Sequence, residues 1–343
     1  MRTNKKRLIK LIFTSGIALV AVYLLLSSIE LRRIPQALGS ISIQTIIIGF
    51  LMYTFFVLMK TIRFRSILNL NLPLRRFFRI IALHTFWTNI LPMRTGDISY
   101  IYLLKSREKV SRTKSVASLM VVSVLDILLQ LTLIVGIAWY FKPRLASKIS
   151  YTAFLLIPFL GILGLLSIVS ISLIFPKRCV SVTKRISFTF QRLSPPLLKG
   201  AGGISWVGDK SARIVHELTD LSFNMRLLGI FAYSVVILGV RFGMQCYLVK
   251  AMGLNLGILE ILFALGFTAF CNMFPIQSVA SLGTIELPWA WALISLGASN
   301  DAAIASGFSL HIIIIMYSVA LGLYGVINFR LPKSRILRKS KLQ

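Results

Sequence analysis

Acidic residues are scarce in this 343-residue chain: 10 Asp and Glu stand against 39 Lys and Arg, a formal charge of +29. No two carboxylates sit at a catalytic spacing, so paired acid–base chemistry has little to draw on. Cysteine is equally sparse. Cys179, Cys246 and Cys271 form no CxxC and no even-numbered framework, which argues against a disulfide scaffold and against thiolate metal or redox sites. There are three histidines, no HExxH and no GxSxG, so hydrolytic and metal-assisted mechanisms have no starting point; no cofactor and no metal are expected. The GxxG at 200–203 lacks the strand and Lys of a phosphate loop and reads as a linker.

What the chain has is apolar length. Hydrophobic residues make up 56% and the mean hydropathy is +0.81, more apolar surface than a soluble core hides. The expected fold class is an all-α polytopic membrane protein. Full spans read at about 8–28, 41–59, 115–140, 151–175, 227–249 and 303–329, making six. The first, after "MRTNKKR", has no A-x-A site and reads as a retained anchor rather than a signal peptide. The cations cluster between apolar runs, at the N-terminus, 60–79, 94–114, 177–226 and the tail from Arg330. This is the positive-inside pattern, not a nucleic-acid footprint, and it places both termini in the cytoplasm of an inner-membrane protein.

Parity then constrains the remaining apolar segments. The segment 77–92 has basic loops on both sides, so it must enter from the cytoplasm and return as a re-entrant or broken hairpin. The segments 257–275 and 284–299 must do the same from the outer face. The two halves, about 41–140 and 227–329, echo each other weakly: Arg63-Phe64 with Arg241-Phe242, Asn71-Leu72 with Asn255-Leu256, and Asn89-x-x-Pro92 with Asn272-x-x-Pro275. The span before the first hairpin runs inward and the span before the second runs outward, as in an inverted repeat with its site at the repeat interface. Pro stops a helix, and Asn is suited to bond the freed backbone. Such breaks survive at membrane depth only against protein or a wet cavity. The other reading is that both prolines merely end interfacial helices. Between the halves, 176–226 is a basic amphipathic stretch suited to an anionic inner leaflet.

The segments "IRFRSIL", "NILPMRTGD", "VLDILLQL" and "FPIQSVASLGTIE" resemble the flippase-like transmembrane domain of lysylphosphatidylglycerol synthases, across about residues 10–330. In that family the middle motif looks like Pro-x-Arg-x-Gly-Asp/Glu and the late one like Pro-x-x-Gly-Gly-x-Gly-x-x-Glu. There are departures. Tyr100 stands where an Arg commonly follows the Gly-Asp motif, Val122 and Ser123 stand where a Glu-Arg pair often precedes the span Asp, and the Gly-Gly is replaced around Ser278 to Ser281. No long polar segment resembling the family's soluble synthase domain is present in these residues, so the resemblance implies transport or binding rather than an enzyme.

The candidate substrate-binding residues are Arg63, Asn89, Arg94, Asp97, Arg241, Asn272 and Glu286, with Asp126 as a further charge partner. Arg94 and Asp97 read either as a phosphate fork with its orienting acid or as a solvated loop pair. Arg63 ends a span, where snorkelling explains it as well. Arg241 lies inside a span, where a cation costs roughly 2.5–3.5 kcal/mol and needs a partner or a cavity; Glu286 is the favoured partner and Asp126 the next. His84 and His311 read as hydrogen-bonded filler. The expected function is translocation or binding of an anionic phospholipid or polyprenyl-linked lipid between leaflets. The alternatives are a non-transporting scaffold for a separate lipid-modifying or glycosyl-transfer enzyme, and an integral lipid transferase with Asp97 as its base.

Overall fold

The computed structural model describes residues 33–70, 72–92, 95–141, 156, 159–164, 225–273 and 277–327. The span expected at 8–28, most of that at 151–175, nearly all of the basic stretch 176–226, the C-terminal tail, Asn71, Arg94 and Pro275 lie outside the described residues. Within them the chain is helical: α1 (Arg33–Gly39), α2 (Ile43–Leu68), α3 (Leu74–Ile90), α4 (Gly96–Glu108), α5 (Arg112–Tyr140), α6 (Met225–Ala251), α7 (Ile258–Cys271), a 3₁₀ turn (Val279–Ser281), α8 (Glu286–Ser295) and α9 (Asn300–Ile327).

Four of these helices are long and apolar enough to cross a membrane: Ile43–Leu68, Arg112–Tyr140, Leu228–Ala251 and Asn300–Ile327. They coincide with four of the six expected spans. Their starts are set locally. Ser42 accepts the backbone N–H of Thr45 at 3.2 Å to cap α2, and Ser111 does the same for Lys114 at 3.2 Å to cap α5. Asn69 ends α2 in the left-handed conformation, φ 49°. By contrast α3, α7 and α8 rise only about 25, 21 and 15 Å, short of the ~30 Å hydrocarbon layer. These are the segments that parity assigned to hairpins.

Two expected loops are helical instead. The α2 helix continues past residue 59 to Leu68, so Arg63 sits inside a helix rather than at a span end. Most of 94–114 is α4, which begins almost in contact with α3: a Cβ on Gly96 would lie 2.4 Å from Thr88 Cα and 2.6 Å from Trp87 O. Only glycine permits that approach of one backbone to another.

The helix contacts follow the correspondence between halves. If α2, α3, α4 and α5 are exchanged with α6, α7, α8 and α9, each contact among these eight helices maps onto another or onto itself. The pair α3–α9 maps onto α5–α7, α3–α4 onto α7–α8, α4–α5 onto α8–α9, and α2–α3 onto α6–α7. The α2–α6 contact maps onto itself and forms the centre of the bundle. Small residues bring helices close here, as expected where lipid supplies no hydrophobic drive between them. Gly49 on α2 lies against Tyr317 on α9, and Gly322 and Gly325 on α9 lie against Phe86 and Leu83 on α3.

Candidate functional site

The half-length helices leave room at the centre. A cavity of about 330 Å³ opens among α2, α3, α5, α6, α7 and α9, with α8 supplying Trp289. Arg63, Asn89, Asp97, Asp126, Arg241 and Asn272 all line it, together with Lys60, His84, Gln130, Gln245, Thr268, Gln277 and His311. A smaller cavity of about 80 Å³ adjoins it between α2, α5 and α6 and shares Lys60, Arg63, Asp126 and Arg241 with it. The charged residues thus form a partition between the two spaces.

Arg63 is fully buried, and its guanidinium forks onto Asp126 of α5: Nη1 donates to Oδ1, and Nη2 to Oδ2 at 3.0 Å. Nη1 also donates to Ser234 Oγ on α6 at 2.8 Å, so one side chain ties three helices. Bidentate, charge-assisted bonds of this kind are the strong ones. Snorkelling is therefore not the role of Arg63. Its length and charge are spent inward.

Arg241 departs from expectation in its partner. Glu286 is fully buried in the first turn of α8, where its Oε2 accepts the Gly283 N–H at 2.7 Å and its Oε1 meets His311 Nδ1 of α9. The local cap and the histidine take up both oxygens, and Glu286 does not reach the cavity wall. The carboxylate within electrostatic reach of Arg241 is Asp126. No hydrogen bond or ion pair among the described residues engages the Arg241 guanidinium, which lies 5.9 Å from the Phe242 ring centroid. Lys60 reaches Thr85 Oγ1 at 3.2 Å and faces the same group of charges. Three cations therefore surround Asp126, with Asp97 the further carboxylate acting on Lys60.

The two Asn-x-x-Pro breaks differ in what the Asn does. Asn89 Nδ2 donates to Tyr53 Oη at 3.3 Å and to Ser318 Oγ at 3.0 Å, joining α3 to α2 and α9 rather than satisfying freed backbone. Asn272 caps α7 with its backbone, and its carbonyl accepts Gln277 Nε2 at 3.1 Å. Asp97 lies in the first turn of α4, where the helix dipole favours an anion, 4.0 Å from His84 Nε2 and 43% exposed.

The departures from the family pattern have structural counterparts. Tyr100 is fully buried against Phe64, with ring centroids 4.8 Å apart, and bonds Ser118 at 3.0 Å, filling its place without charge. Val122 and Ser123 give the cavity a neutral wall beside Asp126. In the stretch where the family pattern has glycines, Ala280 and Ser281 both adopt left-handed backbone, φ 51° and 53°. Gly283 follows at φ 76°.

Lys60, Gln245 and Thr268 were not singled out from sequence. Lys60 was counted with a cytoplasmic loop, although its spacing of three from Arg63 is a helical signal. Gln245 stands four residues beyond Arg241, hence on the same face.

Residues 8–322 match the family model described as the lysylphosphatidylglycerol synthase TM region. No curated protein matches the chain.

Proposed function

We propose, for a chain that belongs to the lysylphosphatidylglycerol synthase TM region family, that the central cavity binds the phosphate of a membrane lipid and carries it between leaflets. One observation carries this reading: Lys60, Arg63 and Arg241 gather around Asp126 on a cavity wall whose other carboxylate is Asp97, so cations outnumber carboxylates there. A surplus of cations in a low-dielectric site is costly unless an anion completes it. A lipid phosphate is the anion a membrane supplies in quantity.

In this reading Arg63 and Asp126 form the fixed part of the site, and Arg241 is the arm that exchanges Asp126 for phosphate. The pseudo-symmetric α2–α6 contact provides a pivot about which the two halves rock, exposing the cavity to one face at a time. The short α3 and α7–α8 units would be the gates, one at each face. Arg94, three residues before Asp97 in sequence, is a further candidate for the phosphate, and both termini are assigned to the cytoplasmic side. No covalent step is part of this proposal. The cargo is an anionic phospholipid or polyprenyl-linked lipid, and any modification of it belongs to a separate enzyme.

Reconstitution tests this. Purified protein in liposomes is supplied with fluorescent anionic phospholipids and prenyl phosphates, and leaflet exchange is read by dithionite quenching. Exchange above protein-free vesicles, lost in Arg241→Gln, is expected. Exchange no faster than in protein-free vesicles for every lipid refutes transport and leaves the scaffold reading.

A further inference from the structure

Phosphate binding leaves one buried acid–base pair without a task. Glu286 is 0% exposed and His311 5%; Glu286 Oε1 meets His311 Nδ1, and Oε2 accepts the Gly283 N–H at 2.7 Å. Both carboxylate oxygens and one ring nitrogen are thereby occupied. No hydrogen bond among the described residues engages the other nitrogen, His311 Nε2, and the residue lines the central cavity. A carboxylate behind an imidazole fixes its orientation and leaves the outer nitrogen to take or give a proton. With one proton, Nδ1–H donates to the carboxylate, Nε2 is a bare acceptor and the pair carries one negative charge. A second proton enters at Nε2 and makes a neutral imidazolium–carboxylate pair.

The surrounding charges tie that second proton to the cargo. Of the helices packed on α9, α2 brings Tyr53, Lys60 and Arg63 to the same cavity, α6 brings Arg241 and α3 brings His84, while α1 places no described side chain there. Asp126 and Asp97 are the carboxylates of the wall. Among the described residues the wall therefore has one cation in excess, and Glu286 behind His311 offsets it while the cavity is empty. A phosphate monoanion takes up that excess and leaves the Glu286 charge unanswered in a low-dielectric site. A proton at His311 Nε2 restores neutrality. Asp97 holds the corresponding place in the first half, in the first turn of α4 with His84 Nε2 at 4.0 Å, but its side chain is 43% exposed and that pair is not closed.

Resting on the phosphate reading above, we infer that His311, oriented by Glu286, binds a proton together with the anionic lipid, so that the protein is a proton–lipid symporter. The proton enters at Nε2 as the phosphate reaches Arg241, and both leave at the opposite face. The coupling is reciprocal: acid tightens lipid binding, and lipid binding takes up a proton. The charges of phosphate and proton cancel, so the cycle moves no net charge.

The test uses the full chain in liposomes, with acyl-labelled phosphatidylglycerol as the probe, potassium and valinomycin to clamp the membrane potential, and outer-leaflet quenching after the gradient has been collapsed. Across about one pH unit, the probe should accumulate up to ~tenfold in the leaflet on the alkaline side, whichever way the protein is inserted, and should reverse with the gradient. Luminal pyranine should report protons moving with the lipid. A potential imposed at equal pH should drive nothing. His311→Gln and Glu286→Gln should each lose the accumulation and the proton signal together. Because both alter a buried pair, their helical circular dichroism and unfolding are compared with the wild type, and the wild-type response decides symport by itself. Accumulation that follows the potential and ignores the pH gradient overturns symport while leaving phosphate transport intact. Gradient-driven accumulation that survives in a folded His311→Gln overturns the assignment to this pair. No protein-dependent exchange of the probe under any condition removes the transport reading and this inference together.

Discussion

Replacing Asp126 by Ala removes the one charged acceptor that, among the described residues, answers the fully buried Arg63 guanidinium. Two of its bonds go at once, leaving the 2.8 Å contact to neutral Ser234 Oγ. Breaking a buried pair by removing one partner typically costs about 3–5 kcal/mol, because the remaining charge is stranded. The Asp126 side chain is 32% exposed to the cavity, so water screens part of this loss. The expected cost is about 3 kcal/mol, the low end of that range. Removing both charges should be milder: Arg63→Met with Asp126→Leu leaves no stranded ion and should recover most of the stability. Asp126→Asn should fall between, since an amide keeps hydrogen-bonding capacity without the charge. Unfolding of purified protein in mixed micelles of increasing sodium dodecyl sulfate fraction, followed by helical circular dichroism, measures all three. An Asp126→Ala cost below about 1 kcal/mol, or a double variant no more stable than Asp126→Ala, would refute the buried pair as the element that ties α2, α5 and α6.

Other consequences are local. Glu286→Ala should cost about 2–4 kcal/mol in the same assay, since it strips the Gly283 N–H and His311 of a shared charged acceptor; a cost equal to that of His311→Ala alone would show that the cap contributes nothing. Ala280→Gly should stabilise by about 0.5–1 kcal/mol because it relieves a left-handed Ala, and destabilisation would contradict that backbone. Gly96→Ala should destabilise by about 1–3 kcal/mol through collision with the end of α3, with a lowered Tm as the readout. For orientation, single cysteines at Ile98, 63% exposed on α4, and Ile258, 57% exposed at the start of α7, should label from the cytoplasmic and the outer side respectively; labelling of both from one side would reject opposed hairpins.

Much of the architecture was legible because membrane insertion reads quantities that are additive along the chain. Apolar length marked α2, α5, α6 and α9 as spans, and the parity of the basic loops set 77–92, 257–275 and 284–299 apart from them. The weak echo of Arg63-Phe64 in Arg241-Phe242 pointed to a correspondence that the helix contacts follow. The end of α2 was misplaced for a related reason. Lys60, Arg63 and Arg65 lower the local hydropathy, so the run seemed to stop near 59, whereas their alignment on continuing helix lets Arg63 reach inward to Asp126.

Composition, hydropathy and charge order along the chain thus determined the class and the pool of polar residues at depth, while the motif segments carried the family resemblance. Which of those residues meet was decided in three dimensions. Arg63 and Asp126 are 63 positions apart and Asn89 and Ser318 are 229 apart, yet each pair is joined by a hydrogen bond. Glu286 went to His311 and the Gly283 N–H, and that choice leaves Arg241 to share Asp126. Charge along a chain adds up term by term, but pairing depends on separation in space and on the direction of each side chain. Those are set only when the helices have packed.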